Sequence, residues 1–184
     1  MASLIPSANA SGTGSMTLAG PSTNSNQTIN IPDVTGTVMV SGNMPAFSAT
    51  KSGGGNQSLT ANVATKVTFD TEDFDTASCF ANSTFTPNVA GYYQISAGLD
   101  MFTTGSTMTQ SSVMIAKNGA GYRWNYGYAT IPQNTDNSPT ISALVYCNGT
   151  TDYIEIYARG TGTSIVVGVN NLGTWVTGAL VRSA

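Results

Sequence analysis

Phe85-Thr86-Pro87-Asn88-Val89-Ala90-Gly91-Tyr92-Tyr93-Gln94-Ile95-Ser96-Ala97-Gly98 is the stretch on which the fold turns. Asn88 marks a turn, and the run from Gly91 to Met101 reads as a strand. On a strand, neighbouring side chains point to opposite faces. One of Tyr92 and Tyr93 therefore belongs in a core, and the other faces solvent or a contact between subunits.

Working outward, the same texture repeats through residues 45–184. Strands are expected at Val63–Phe69, Cys79–Phe85, Gln110–Lys117, Thr140–Cys147, Asp152–Ala158, Ser164–Val169 and Trp175–Val181. Turn residues separate them: Gly53-Gly54-Gly55, Asn118-Gly119, Asn148-Gly149, Gly160-Thr161-Gly162 and Asn170-Asn171. Asn-Gly between alternating runs is a hairpin signal, because both residues tolerate positive φ. No segment carries a 3.6-residue apolar stripe. Short, regularly spaced strands without helices predict an all-β antiparallel sandwich or jelly roll.

The composition narrows the class. Hydrophobic residues make up 40% of the 184, enough for a core, while charged residues make up only 8% against a usual quarter. Either the surface is polar but uncharged, or copies of the chain or a partner cover much of it. The six basic residues are scattered, with no stripe to neutralise phosphates, so nucleic acid is not an expected partner. No apolar run is long enough to span a bilayer, and membrane insertion is not expected. Met1-Ala2-Ser3-Leu4-Ile5-Pro6 has no positive n-region, so no secretory signal is expected. The five Asn-x-Ser/Thr triplets then carry no glycan. Cys79 and Cys147 are too few for a disulfide scaffold and are expected as free buried thiols.

Residues 1–44 differ from the rest, with Asp33 as their one charge and no aromatic residue. Ser, Asn, Gly, Thr and Ala dominate residues 6–27, a composition that buries too little to fold alone. Period-2 alternations surface around Leu18, at Thr28-Ile29-Asn30-Ile31 and at Thr37-Val38-Met39-Val40. Such strands have open edges and need partners. The expected layout is an extended N-terminal arm over 1–44, gripping through Leu18, Ile29, Ile31 and Val38, and a head over 45–184.

Few residues suggest chemistry. The chain has no histidine, which removes Ser-His-Asp and Cys-His nucleophiles and His-containing zinc sites. An enzyme is not expected. Asp70, Glu72, Asp73 and Asp75 crowd four of the nine acidic residues into six positions. They are candidate calcium ligands, although the spacing is not that of an EF-hand; the alternative is a solvated acidic loop, and no other cofactor is expected. Tyr122-Arg123-Trp124-Asn125-Tyr126-Gly127-Tyr128 is the richest aromatic run. Residues 122, 124, 126 and 128 are expected on one strand face, in the core or at a subunit contact. Arg123 and Asn125 then point the other way and are the candidate ligand contacts.

Several short motifs occur in one order: Phe47 in Pro45-Ala46-Phe47-Ser48-Ala49, then Val67-Thr68-Phe69 with Phe74-Asp75, Phe85-Thr86-Pro87 with Gly91-Tyr92-Tyr93, Ile115-Ala116-Lys117-Asn118-Gly119, Asp152-Tyr153-Ile154-Glu155-Ile156, and Thr174-Trp175-Val176-Thr177-Gly178-Ala179-Leu180. Together they resemble the globular head of the complement C-one-q family, allied in fold to tumour necrosis factor. The resemblance implies a homotrimeric jelly roll that binds and does no chemistry. It implies core or trimer-interface roles for Phe47, Phe85, Tyr92, Tyr93, Trp124, Tyr126 and Trp175.

A second resemblance lies in Met16-Thr17-Leu18-Ala19-Gly20-Pro21 and Gln27-Thr28-Ile29-Asn30-Ile31-Pro32-Asp33-Val34-Thr35-Gly36-Thr37-Val38. It is similar to short segments of tailed-phage virion proteins, with Ile31 where Leu is usual. Jointly the two imply a virion surface protein made in the host cytoplasm: a trimeric knob on a tether. Partners would be other copies of the chain and a major capsid or tail protein. Capsid decoration, as cement or a short head fibre, is the leading expectation. A tail-fibre tip recognising a host cell-surface glycan is the alternative, and a secreted lectin the remote one. The chain shows no heptads or shaft repeats, which favours the capsid.

Overall fold

The computed structural model describes residues 44–184, together with the isolated positions Ser22, Asn26 and Gly42. The attachment residues expected at Leu18, Ile29, Ile31 and Val38 lie outside the described residues.

Among the described residues, fourteen strands in chain order are β1 (Ala46–Thr50), β2 (Gln57–Leu59), β3 (Thr65–Lys66), β4 (Thr71–Asp75), β5 (Phe80–Ala81), β6 (Thr84–Phe85), β7 (Gly91–Gly98), β8 (Met101–Thr103), β9 (Met108–Lys117), β10 (Ala120–Ile131), β11 (Thr140–Cys147), β12 (Ile154–Thr161), β13 (Ile165–Val167) and β14 (Trp175–Ser183). Five form one sheet in the order β11-β7-β14-β1-β4, and the second runs β10-β9-β12-β6-β5, with β3 on β12. A small third sheet, β2-β13-β8, is hydrogen-bonded separately from these two and adds Leu59, Met101, Ile165 and Val167 to the same core. All pairings are antiparallel, as the alternating strands predict.

The core is built from the inward positions of both large sheets. Phe47 stacks on Phe85 at 4.4 Å and on Phe80 at 4.7 Å, and Phe85 meets the edge of Tyr93 at 5.4 Å. Tyr93 is fully buried, and its hydroxyl donates to the Val89 carbonyl at 2.6 Å. Burial pushes this phenol's pKa up. Gly178 sits opposite Phe47, where an added Cβ would lie 2.6 Å from the Phe47 ring. Cys79 and Cys147 are buried, free thiols, and burial raises Cys147 to about 11.

The hairpin expected at Asn118-Gly119 forms, while other local expectations give way to the structure. Asn118-Gly119 turns β9 into β10 with both residues at positive φ. Asn148-Gly149 is not a hairpin, because β11 and β12 belong to different sheets. There the Asn148 side-chain oxygen Oδ1 accepts from the backbone N–H of Thr150, Thr151 and Asp152 and shapes a crossover. The expected Gly91–Met101 strand ends at Gly98, and Met101 begins a strand of the small sheet. Cys79–Phe85 is a tight hairpin about Asn82 and Ser83, both at positive φ.

Candidate interaction surface

The two large sheets treat their outward faces differently. On the six-stranded sheet, Val113 and Ile115 of β9 point into the core, so Ser112, Met114 and Ala116 point out. Yet Ser112 and Ala116 are 0% exposed and Met114 is 5% exposed. Side chains from both flanking strands close over them. Trp124 and Tyr126 pair with Met114 and Ser112 from β10, while Tyr157 and Arg159 flank the same residues from β12. Trp124, Tyr126 and Tyr128 form a continuous stack at 5.0 and 6.2 Å, a ridge along the strand on which Tyr126 and Tyr128 are themselves exposed. Glu155 meets Lys66 at 2.8 Å. Burial alone would raise the Glu155 pKa, but the bonds from Lys66, Tyr157 and Thr84 bring it below the usual range.

The five-stranded sheet leaves its outward face open. Tyr92, Leu144, Tyr146, Val181 and, on the edge strand, Phe74 are 40–61% exposed. Tyr92 and Tyr146 sit opposite each other with ring centroids 5.4 Å apart. Between them and Trp175 the outward positions are Gln94, Ser96, Ser142, Thr177, Ala179, Ala46 and Ser48, none of them charged. Most of their polar groups are already paired. Gln94 Nε2 and Ser96 Oγ each lie 2.7 Å from Ser142 Oγ, Thr177 Oγ1 donates to the Phe47 carbonyl, and Ser48 Oγ donates to Asp73. Covering this face therefore leaves few polar groups stranded. Charge appears only at its margins, with Arg182 at one end of β14, Asp73 on β4, and Lys117 Nζ 5.5 Å from the Tyr146 ring centre.

The candidate residues fall into distinct places. Phe47, Phe85 and Tyr93 are core. Tyr92 and half-buried Trp175 lie on the open face, the Trp175 indole packed flat over Gly98. Trp124 and Tyr126 are not core residues but part of the ridge on the other sheet. The expected alternation of 122, 124, 126 and 128 fails at its first member. The register shifts between Gly121 and Arg123, and Tyr122 instead packs against the core. Arg123 and Asn125 face the seam where β10 runs beside β11. Asn125 Nδ2 donates to the Thr140 carbonyl at 2.7 Å, and Tyr122 donates to the Leu144 carbonyl, so these residues tie the sheets together. Arg123 remains exposed, its guanidinium 4.3 Å from the Tyr122 ring centre.

The acidic run is not a loop. Glu72, Asp73 and Asp75 lie on β4, the edge strand of the open sheet. Charge on an edge strand opposes pairing with a stray strand. Asp70 accepts from the Ser52 and Gly53 N–H groups at 2.9 Å, holding the Gly53-Gly54-Gly55 turn, and Asp75 accepts from Ala77 and Phe80. Burial opposes ionisation of Asp70, but the bonds from Ser52, Gly53 and Thr71 together with nearby Lys51 outweigh it and its pKa is lowered. Among the described residues no three acidic or cysteine side chains come together as a metal site. The sequence reading did not single out the Lys117–Asp152 pair at 2.8 Å, because partners 35 positions apart show no local signal.

No family model matches the sequence, and no curated protein matches it. Solved structures do. The globular domain of zebrafish complement 1qA superposes with a TM-score of 0.55 at 15% identity, covering 76% of this chain and 99% of that one. This chain has the jelly-roll fold of complement and tumour necrosis factor-type globular domains. Eiger TNF from S. frugiperda matches with a TM-score of 0.53 at 13% identity, over 77% of this chain and 93% of that one. The PRD1 vertex protein P5 aligns over 76% of this chain at 17% identity with a TM-score of 0.48, a likeness too loose to carry an argument.

Proposed function

We propose that this chain is a non-enzymatic virion surface protein. Three heads associate through the open faces of their five-stranded sheets, and the N-terminal segment tethers the knob to the phage capsid. The observation that carries the self-association is the uncharged outer face with Leu144, Tyr92, Tyr146 and Val181 exposed on it. Half-exposed side chains of this size gain about 1 kcal/mol each when covered. The jelly-roll fold supports the same reading, since it is the fold that the C-one-q resemblance implied. The tether and the virion rest on the similarity of residues 16–38 to tailed-phage segments.

Cryo-electron microscopy of purified particles tests the placement. Threefold density on the capsid shell is the expected result. Density confined to the tail would replace capsid decoration with host recognition, and absence from the particle would overturn the virion reading.

A further inference from the structure

Among the described residues, Arg123 is an exposed cation outside every ion pair, and Glu72 and Asp73 are exposed anions outside every ion pair. They stand on opposite sides of the sandwich. Arg123 lies on β10, the edge of the six-stranded sheet that runs beside β11, whereas Glu72 and Asp73 lie on β4 at the far edge of the five-stranded sheet.

They are also level with each other. The bonds from Tyr122 to Leu144 and from Asn125 to Thr140 set Arg123 beside Ser142 and Ala143. From Ser142 the register crosses the sheet through Ser96, Thr177 and Ser48 to Phe74, the neighbour of Asp73. Each edge also carries an exposed apolar residue, Leu144 on one and Phe74 on the other.

We propose that Arg123 of one copy pairs with Asp73 and Glu72 of the next, closing a head-to-tail ring whose axis runs along the strands. This rests on the self-association reading above and specifies its contacts. A contact between two different edges repeats at every step and closes when the rotation permits. The alternative, a two-fold dimer through β4, would set carboxylate against carboxylate, and like charges across an interface disfavour it. The edge charges thus select the ring against the dimer as well as supplying attraction.

Sedimentation of the full chain over a concentration series tests this with four proteins: wild type, Arg123→Glu, the double variant Glu72→Lys with Asp73→Lys, and all three changes combined. The melting transition of each reports whether it folds. Arg123→Gln serves as a milder probe should reversal unfold the head. Wild type is expected to form a trimer. Each reversed edge should raise the dissociation midpoint about tenfold or more, as loss of a close interfacial charge pair does, and the combined variant should regain most of that loss. High salt should weaken the wild type. A folded Arg123→Glu that assembles like wild type, or a combined variant no better than the single reversals, overturns the pairing while leaving the trimer standing. A wild type that stays monomeric overturns the self-association reading and the pairing with it.

Discussion

On the six-stranded sheet the outward residues of β9 are sealed beneath a Trp124–Tyr126–Tyr128 ridge and the side chains of β12. On the five-stranded sheet the equivalent positions are Leu144, Tyr146, Tyr92 and small hydroxyl residues, with nothing of the described chain lying over them. Both sheets expose one face of an antiparallel layer, and such a face is usually polar when it meets water. Here one sheet buries the outward residues of its strand β9 beneath an aromatic ridge whose Tyr126 and Tyr128 are themselves exposed, and the other pairs most of its polar groups internally and leaves Tyr92, Leu144, Tyr146 and Val181 uncovered. The difference separates two roles within one sandwich. One sheet completes the fold, and the other is available for another molecule.

Substitutions separate these roles. The largest effect should come from the core they share. Tyr93→Ala removes a fully buried ring and its bond to Val89, and should cost about 3–5 kcal/mol of unfolding free energy, read by urea denaturation. Both faces would be lost together. Next, Leu144→Asp on the open face should abolish assembly, seen as a fall in sedimentation coefficient. The melting of the isolated head should shift by no more than about 0.5 kcal/mol, as for an ordinary surface change. Trp124→Ala on the sealed face should do the reverse. It uncovers Met114 and breaks the ridge, so the head should lose about 2 kcal/mol while the assembly state holds.

The smallest effect is one of pH, at the end of the sandwich where Lys117 and Asp152 meet. Hydrogen bonds from Asn118 and Lys117 hold the Asp152 pKa below its ordinary 3.8. A carboxyl lowered by folding contributes stability that is complete above its unfolded pKa and is lost as pH falls through the folded value. The melting temperature should therefore fall as pH drops below about 4, and less steeply in Asp152→Asn. Parallel acid slopes in the two proteins would show that Asp152 contributes nothing to the acid sensitivity.

Much of the scaffold was legible because its signals are local. Thr140–Cys147 has the expected bounds, and Asn118-Gly119 supplies a turn that two strands of one sheet can use. Asn148-Gly149 carries the same local chemistry, but whether the next strand returns to the same sheet depends on distant partners. The acidic β4 was hidden because its charges mask strand propensity, and only its position at an edge makes those charges useful. The bulge at Tyr122 reversed the expected parity of one residue, and a bulge leaves no mark in an alternating run. The contrast between the faces was the least legible feature. Tyr92 and Tyr126 look alike in sequence, and only the register shows that one stands on the open face and the other in the ridge that covers β9.

Oxidative footprinting of tyrosine in the native, full-length protein tests that contrast most directly. Tyr92 and Tyr146 should be protected despite their exposure in the single head, while Tyr126 and Tyr128 should react readily. Protection should vanish in Leu144→Asp. Ready oxidation of Tyr92 and Tyr146 in the wild type, with Tyr126 and Tyr128 protected, would place the contact on the other sheet and contradict association through the open face.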